Sequence, residues 1–242
     1  MASTRLPGKP LRKIAGRPLI EWVWRRATAI TSLEEVVVAA ADAEIVEEVK
    51  RFGGRAVLTK PGHVSGTDRV AEVAGRSEYE GWGRIVNLQG DEPFVDPGAV
   101  SAVLNRLEEG WDVGTVAVPI ARVEEWRSPS VVKVVRDARG GALYFSRAPI
   151  PHPRAGVPRL GVGDEMYLRH VGLYAFTRSG LERAAGLPSH TLEELEGLEQ
   201  LRWLAGGLRI GVSVVQDGES GVDTEADLAR VEAILKGRQE FS

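Results

Sequence analysis

The chain contains no cysteine, which excludes disulfides, thiol nucleophiles and thiolate-bound metals and fits a reducing compartment such as the cytoplasm. It has no apolar run approaching membrane-spanning length and no secretory h-region, so a membrane partner is not expected. A basic excess is also missing. The formal net charge of −3 leaves no footprint for nucleic acid, and any phosphate must be met by local cations. Asn and Met are scarce and 25 of the 31 basic residues are Arg, a bias that a GC-rich genome or a hot habitat would each produce. Repeats and low-complexity segments are absent. What is present is 43% hydrophobic residues in 242, enough for a sizeable core, with no composition break to favour two domains over one.

The chemistry is expected around Arg84-Ile85-Val86-Asn87-Leu88-Gln89-Gly90-Asp91-Glu92-Pro93, where a strand-like apolar run meets a turn carrying two carboxylates. In an open α/β sheet, ligands sit at the carboxyl ends of strands, so Asp91 would face a cleft. There it suits a divalent cation bridging phosphates. The plain alternative is an acidic surface loop. Upstream, Met1 to Leu11 is small, hydroxylated and Gly/Pro-rich, with Arg5 and Lys9 placed to reach one side of a loop. Backbone donors and two cations suit a polyphosphate cradle, although the Walker spacing is missing and a solvated basic terminus would read the same way.

Periodicity predicts a helix opened by Gly16-Arg17-Pro18-Leu19, a strand at 36–40, a helix from Asp42 stopped by Gly53-Gly54, a strand at 56–58 and a helix from Thr67-Asp68. With the strand at 84–88, this alternation implies an α/β fold: a mostly parallel, Rossmann-like sheet with helices on both faces. Asp96 would cap a helix starting at Pro97. From about 112 to 176 the pattern changes to an excursion, with a strand at 113–120, a hairpin over 131–145 and a Pro/Gly-rich stretch from Ser146 to Asp164. In the strand at 170–176, period two puts His170, Gly172 and Tyr174 on one side, suggesting a pocket wall. A helix from Leu192 to Leu204 places Glu199-Gln200 near its middle, and a strand at 209–215 follows. The last helix would be capped by Asp223 or Thr224.

Seven motifs in order, Ser3-Thr4-Arg5-Leu6-Pro7-Gly8-Lys9-Pro10, Ser65-Gly66-Thr67-Asp68-Arg69, Asn87 to Pro93, Tyr144-Phe145-Ser146-Arg147, Arg169 to Tyr174, Leu198-Glu199-Gln200-Leu201-Arg202 and Gly221-Val222-Asp223-Thr224, resemble the 3-deoxy-manno-octulosonate (Kdo) cytidylyltransferases, or CMP-Kdo synthetases. The likeness spans essentially the whole chain as one nucleotidyltransferase domain. It implies transfer of CMP from CTP to Kdo, giving CMP-Kdo and pyrophosphate for lipopolysaccharide biosynthesis, with Mg²⁺ as cofactor in a cytoplasmic homodimer joined through the hairpin-bearing part. By the family pattern, Ser3, Arg5 and Lys9 would meet the nucleotide, Arg5 and Lys9 at the β- and γ-phosphates. Ser65, Gly66 and Arg69 would read the cytosine, while Asp91 and Asp223 would hold the metal, making Lys9, Asp91 and Asp223 the catalytic set. Gln89, Arg147, His170, Tyr174, Glu199 and Gln200 would hold the sugar acid, with Arg147 the natural bidentate partner for its carboxylate.

Each assignment has a plainer competitor. Asp223 could cap its helix, His170 could be a core histidine, and Glu199 could pair with Arg202 at i, i+3. His63, His152 and His190 lie in loops and read as solvated, and the 149–158 stretch suits either function or dimer contact. At the level of activity, the competitors are a cytidylyltransferase for another 2-keto sugar acid, such as a sialic-acid-like or 8-amino analogue, and a catalytically silent nucleotide-binding relative. One departure stands out: the family carries an apolar strand and a Pro-Ala-Arg turn before the Ala-Ser-Thr-Arg stretch, whereas this chain starts at Met1. The resemblance therefore implies roughly ten more residues, a short first strand plus a turn, before Met1, checkable by intact mass of the natively expressed protein.

Overall fold

The computed structural model describes residues 6–154, 156, 158, 160, 161, 165–216, 221, 222 and 224–237. Two compact units emerge: unit 1 comprises Met1–Arg76, Gln89–Val95 and Glu219–Ser242, and unit 2 comprises Ser77–Leu88 and Asp96–Gly218.

In unit 1 the chain turns at Gly8, whose φ of 64° is a left-handed conformation that suits glycine, into a 3-10 turn at Lys9–Leu11. β1 (Lys13–Ile14) and β2 (Arg17–Pro18) then form a tight antiparallel hairpin, so Pro18 ends a strand and caps α1 (Leu19–Thr28) rather than lying within its first turn. Leu19, Ile20, Trp22, Val23 and Ala27 give α1 its buried face, at the apolar spacing seen in the sequence. β3 (Val37–Ala40) runs parallel to β4 (Arg55–Leu58), with α2 (Ala43–Arg51) joining them. This is the strand–helix–strand unit the alternation predicts. α3 (Gly66–Ala74) follows, and α9 (Glu225–Gly237) packs beside β1, with Leu228, Val231 and Leu235 buried.

Unit 2 corrects the expected mostly parallel sheet. Its main sheet is mixed and mostly antiparallel. β6 (Val113–Pro119), β7 (Lys133–Arg136), β8 (Ala142–Ser146), β9 (Leu168–Thr177) and β10 (Ile210–Val214) run in the order β10-β6-β9-β7-β8, with β5 (Arg84–Asn87) also on β9. Among the described residues of this sheet only β10 and β6 pair in parallel; β5, β6 and β7 all meet β9 antiparallel. The ten-residue β9 enters between β5 and β6, which the local pattern presents as successive units of an alternating fold. A continuous apolar run marks a strand buried on both faces and carries no record of its direction. The expected hairpin is present as β7–β8, and a Gly141–Gly211 bridge brings the start of β8 back to β10.

Capped by Asp96 Oδ2, which accepts from Ala99 N at 3.0 Å, α4 (Pro97–Glu108) packs on β6, β9 and β10. Two helices beyond the sequence expectations are α5 (Val123–Arg127) and α6 (Arg178–Gly186). The single helix expected over 192–204 is two, α7 (Thr191–Glu196) and α8 (Gln200–Ala205), broken at Gly197 with φ 63°. That break moves Glu199 and Gln200 from mid-helix to the start of α8. No helix of the described residues is long and apolar enough to cross a membrane.

Candidate active site

In unit 1, the 3-10 turn at Lys9–Leu11 directs the Lys9 ammonium onto Asp91 Oδ2 at 2.5 Å and onto the Val222 carbonyl at 2.8 Å. Val222 N also donates to Asp91 O at 2.9 Å, so one lysine joins three segments distant in sequence. Both side chains keep some exposure, 12% for Lys9 and 27% for Asp91, leaving carboxylate surface within reach of a ligand. The neighbouring Glu92 is pushed up to about 7 by burial and by the Asp91 charge. Ser3, Arg5 and Asp223 lie outside the described residues. Capping of α9 is performed by Thr224, whose Oγ1 accepts from Asp227 N at 3.2 Å while Thr224 N donates to Asp227 Oδ2 at 2.9 Å.

The expected base-reading loop also lies in unit 1. Ser65 Oγ accepts from Asp68 N at 3.1 Å and Ser65 N donates to Asp68 Oδ2 at 3.2 Å, a capping box that fixes the start of α3. Arg69 donates to Thr59 Oγ1 at 2.6 Å, and Thr59 N and Oγ1 both donate to the Ala40 carbonyl. The loop is thus tied to the end of β3. A Cβ on Gly66 would stand 3.7 Å from the Gln89 amide, so Gln89, assigned to the sugar, packs on this loop. His63 is engaged rather than merely solvated. Its Nε2 meets Glu72 Oε2 at 2.5 Å; Glu72 also accepts from Lys60 N and Arg76, and these partners, His63 first, bring it down to about 2.

The remaining residues expected to hold the sugar lie in unit 2: Arg147 just after β8, His170 and Tyr174 on β9, and Glu199 and Gln200 at the start of α8. The centroid of the His170 ring lies 5.4 Å from that of Tyr174 and 5.0 Å from that of Phe145, the latter in a T-shaped arrangement, and the Tyr174 and Trp203 centroids are 5.0 Å apart. Burial, with the nearby Arg169 charge adding to it, pushes His170 down to about 3, so the ring is neutral. Burial and the Glu199 charge raise Tyr174 well above its ordinary value, so its hydroxyl stays protonated and able to donate. His190 caps α7, its Nδ1 accepting from Leu192 N at 3.2 Å. Arg202 pairs with Glu193, Nε to Oε2 at 3.5 Å.

Arg147 is held by neutral acceptors. Its Nε donates to the Glu196 carbonyl at 2.7 Å and its Nη1 to the Pro129 carbonyl at 3.1 Å. No carboxylate among the described residues forms an ion pair with its guanidinium, which leaves a positive charge suited to an acid. Two residues absent from the sequence expectations build this seat. The Glu196 carboxylate accepts from Ser146 Oγ at 2.6 Å and Arg147 N at 2.9 Å. Lys133, fully buried, donates to the carbonyls of Ser128, Val131 and Arg147 at 2.8, 2.6 and 2.5 Å, and burial lowers its pKa. A lone lysine inside Val-Val-Lys-Val-Val was a legible signal. Glu196, on an exposed-looking helical stretch, offered none.

A divalent cation fits the Asp91 position by the chemistry of its donors. Carboxylate oxygens suit hard cations, and the Lys9 ammonium resting on Oδ2 shows the carboxylate aimed at positive charge. Asp91 is the one carboxylate assigned to the metal that lies among the described residues, where no group of three or more His, Asp or Glu forms a metal cluster.

Over residues 1–210 the chain matches the model of the cytidylyltransferase family, which sets its class. It is 47% identical over 245 residues to a 3-deoxy-manno-octulosonate cytidylyltransferase of Methylococcus capsulatus, covering 98% of this chain and 94% of the relative. A protein of the same description from Syntrophotalea carbinolica is 45% identical over 245 residues, covering 98% and 95%. The fold matches the solved structure of a CMP:2-keto-3-deoxy-manno-octonic acid synthetase complexed with CTP, with a TM-score of 0.87 and 41% identity over 97% of this chain and 94% of the other. The chain belongs to the 3-deoxy-manno-octulosonate cytidylyltransferase family.

Proposed function

We propose that the protein is a CMP-Kdo synthetase that transfers CMP from CTP to Kdo, releasing pyrophosphate and supplying activated sugar for lipopolysaccharide biosynthesis in the cytoplasm. The observation that carries this reading is the Lys9–Asp91 contact, which ties the basic loop to the acidic turn that family membership leads one to expect. The anomeric oxygen of Kdo attacks the α-phosphorus of CTP, the bond to the pyrophosphate oxygen breaks with its electron pair leaving on pyrophosphate, and the hydroxyl proton passes to solvent. Such a transfer depends mainly on positioning and charge neutralisation.

Lys9, together with Arg5, binds the β- and γ-phosphates, exchanging its carboxylate partner for phosphate oxygens. Ser3 supports the same loop, while Ser65, Gly66 and Arg69 form the wall that reads the cytosine. Arg147 takes the carboxylate of Kdo, Tyr174 donates to it, and His170, Gln89, Glu199 and Gln200 complete its recognition. Asp91 and Asp223 would hold Mg²⁺, which, when bound, neutralises phosphate charge and lowers the pKa of the attacking hydroxyl. The protein works as a homodimer joined through the hairpin-bearing part of unit 2, where Leu143 of β8 and Met166 before β9 stand 62% and 66% exposed.

A pyrophosphate-release assay with CTP and a panel of sugar acids tests the reading. Turnover with Kdo above an 8-amino analogue and a sialic acid is expected. CTP binding without Mg²⁺-dependent turnover on any sugar would replace it with a silent nucleotide-binding role. Light scattering after size exclusion checks the dimer.

A further inference from the structure

The seat of His170 supports one more deduction, whose substrate half rests on unit 2 binding the sugar acid. Thr115 is fully buried in β6, among valines and alanine. Just past it the β6–β9 register shifts, from Thr115 opposite Tyr174 to Val116 opposite Val171. This irregularity brings the Leu173 carbonyl and the His170 ring onto one hydroxyl: Thr115 Oγ1 lies 2.8 Å from Leu173 O and 3.0 Å from His170 Nε2.

A threonine hydroxyl has a single proton and a carbonyl oxygen has none to give. At 2.8 Å the Thr115 proton must therefore point to Leu173 O, and the longer approach to Val171 O at 3.4 Å also involves only an acceptor. Toward His170 the Thr115 oxygen can only accept, so Nε2 carries the ring hydrogen. A neutral imidazole with hydrogen on Nε2 has a bare lone pair on Nδ1. Neutrality follows from burial and the Arg169 charge, which hold the ring far below its ordinary value. Among the described residues Nδ1 has no hydrogen-bond partner, and His170, though largely buried, keeps some exposure, with Phe145 and Tyr174 packed against its ring.

We propose that Thr115 is a positioning residue that locks His170 in the Nε2–H form, so that its Nδ1 accepts a hydrogen bond from a hydroxyl of the sugar acid. The sugar site proposed above then has three complementary readers: a cation in Arg147, a donor in Tyr174 and an acceptor in His170. A sugar with that hydroxyl removed or methylated loses the third.

The test combines ¹⁵N-NMR of the histidine rings with kinetics on wild type, Thr115→Ser and Thr115→Val. With only four histidines, His170 is assigned by comparison with His170→Asn. Expected in the wild type is a pyridine-like Nδ1 and a pyrrole-like Nε2. Thr115→Ser retains this pattern, whereas Thr115→Val mixes the two forms and raises the KM for Kdo about tenfold, the scale of one lost hydrogen bond, with the KM for CTP unchanged. A protonated Nδ1 in the neutral wild-type ring overturns the proposal, as does Thr115→Val with unaltered ring signals and Kdo KM. Should Thr115→Val fail to fold, the wild-type and Thr115→Ser spectra decide. Absence of wild-type turnover with Kdo would instead strike the proposed function, since the ring signals are read without substrate.

Discussion

The two units handle charge in opposite ways. In unit 1, Lys9 and Asp91 neutralise each other at a partly exposed contact, and Glu72 holds its loop as an anion among His63, Arg76 and a backbone amide. In unit 2, burial keeps His170 and Tyr174 uncharged, while Arg147 rests on neutral carbonyls and keeps its charge for a ligand. The contrast suits the two substrates. Under the proposed function, exchangeable ionic partners would meet a polyphosphate, whereas a sugar acid presents one carboxylate among neutral hydroxyls and calls for fixed neutral donors and acceptors around one cation.

Breaking the ionic side should have the largest effect. Asp91→Asn is expected to lower kcat by about a thousandfold in the pyrophosphate-release assay, with little change in the thermal midpoint because the contact is partly exposed. Undiminished turnover would remove Asp91 from the catalytic set. Next, Arg147→Ala should raise the KM for Kdo by about a hundredfold, the upper range for a charge-assisted contact, while the KM for CTP stays constant. Equal shifts in both would show that Arg147 does not separate the substrates.

The same contrast should appear as two acid windows in stability. His170 has a folded value near 3, below its ordinary 6.5, so the unfolded chain takes up the proton first and stability falls as pH drops from about 6.5 toward 3. For Glu72 the folded value is about 2 against an ordinary 4.5, so its contribution is complete above 4.5 and is lost as pH falls toward 2. Relative to wild type, denaturant midpoints against pH should flatten below about 6.5 in His170→Asn and below about 4.5 in Glu72→Gln, the opposing contribution of Glu92, raised to about 7, being common to all three proteins. If both substitutions changed the same window, the separation by environment would be wrong. The smallest effect expected is from Thr224→Ala, which removes the cap of α9 and should cost about 1 kcal/mol by denaturant unfolding without a change in the KM for Kdo.

Much of the molecule was legible locally. The capping signals at Asp96 and Thr224, the strand expected at 36–40 and found at 37–40, the 131–145 hairpin and the apolar stripe of the last helix all follow from rules that act within a few residues. Gly197 splits a helix whose periodicity continues across it, because a left-handed residue interrupts the backbone without altering the apolar spacing. The proposed sugar site was half legible. Period two placed His170 and Tyr174 on one wall, but nothing along the chain pointed to Glu196 or Thr115, whose partners lie about fifty residues away in sequence.

By itself the sequence determined the family and most of the strand and helix segments, and it named the candidate residues, because motifs, caps and periodicity are written in neighbouring side chains. Strand direction, and the neutral or charged state of the site groups, were decided only by tertiary structure. β9 enters antiparallel between β5 and β6, and burial rather than residue type silences His170. Pairing direction and desolvation both depend on what packs alongside from elsewhere in the chain, which no local pattern records.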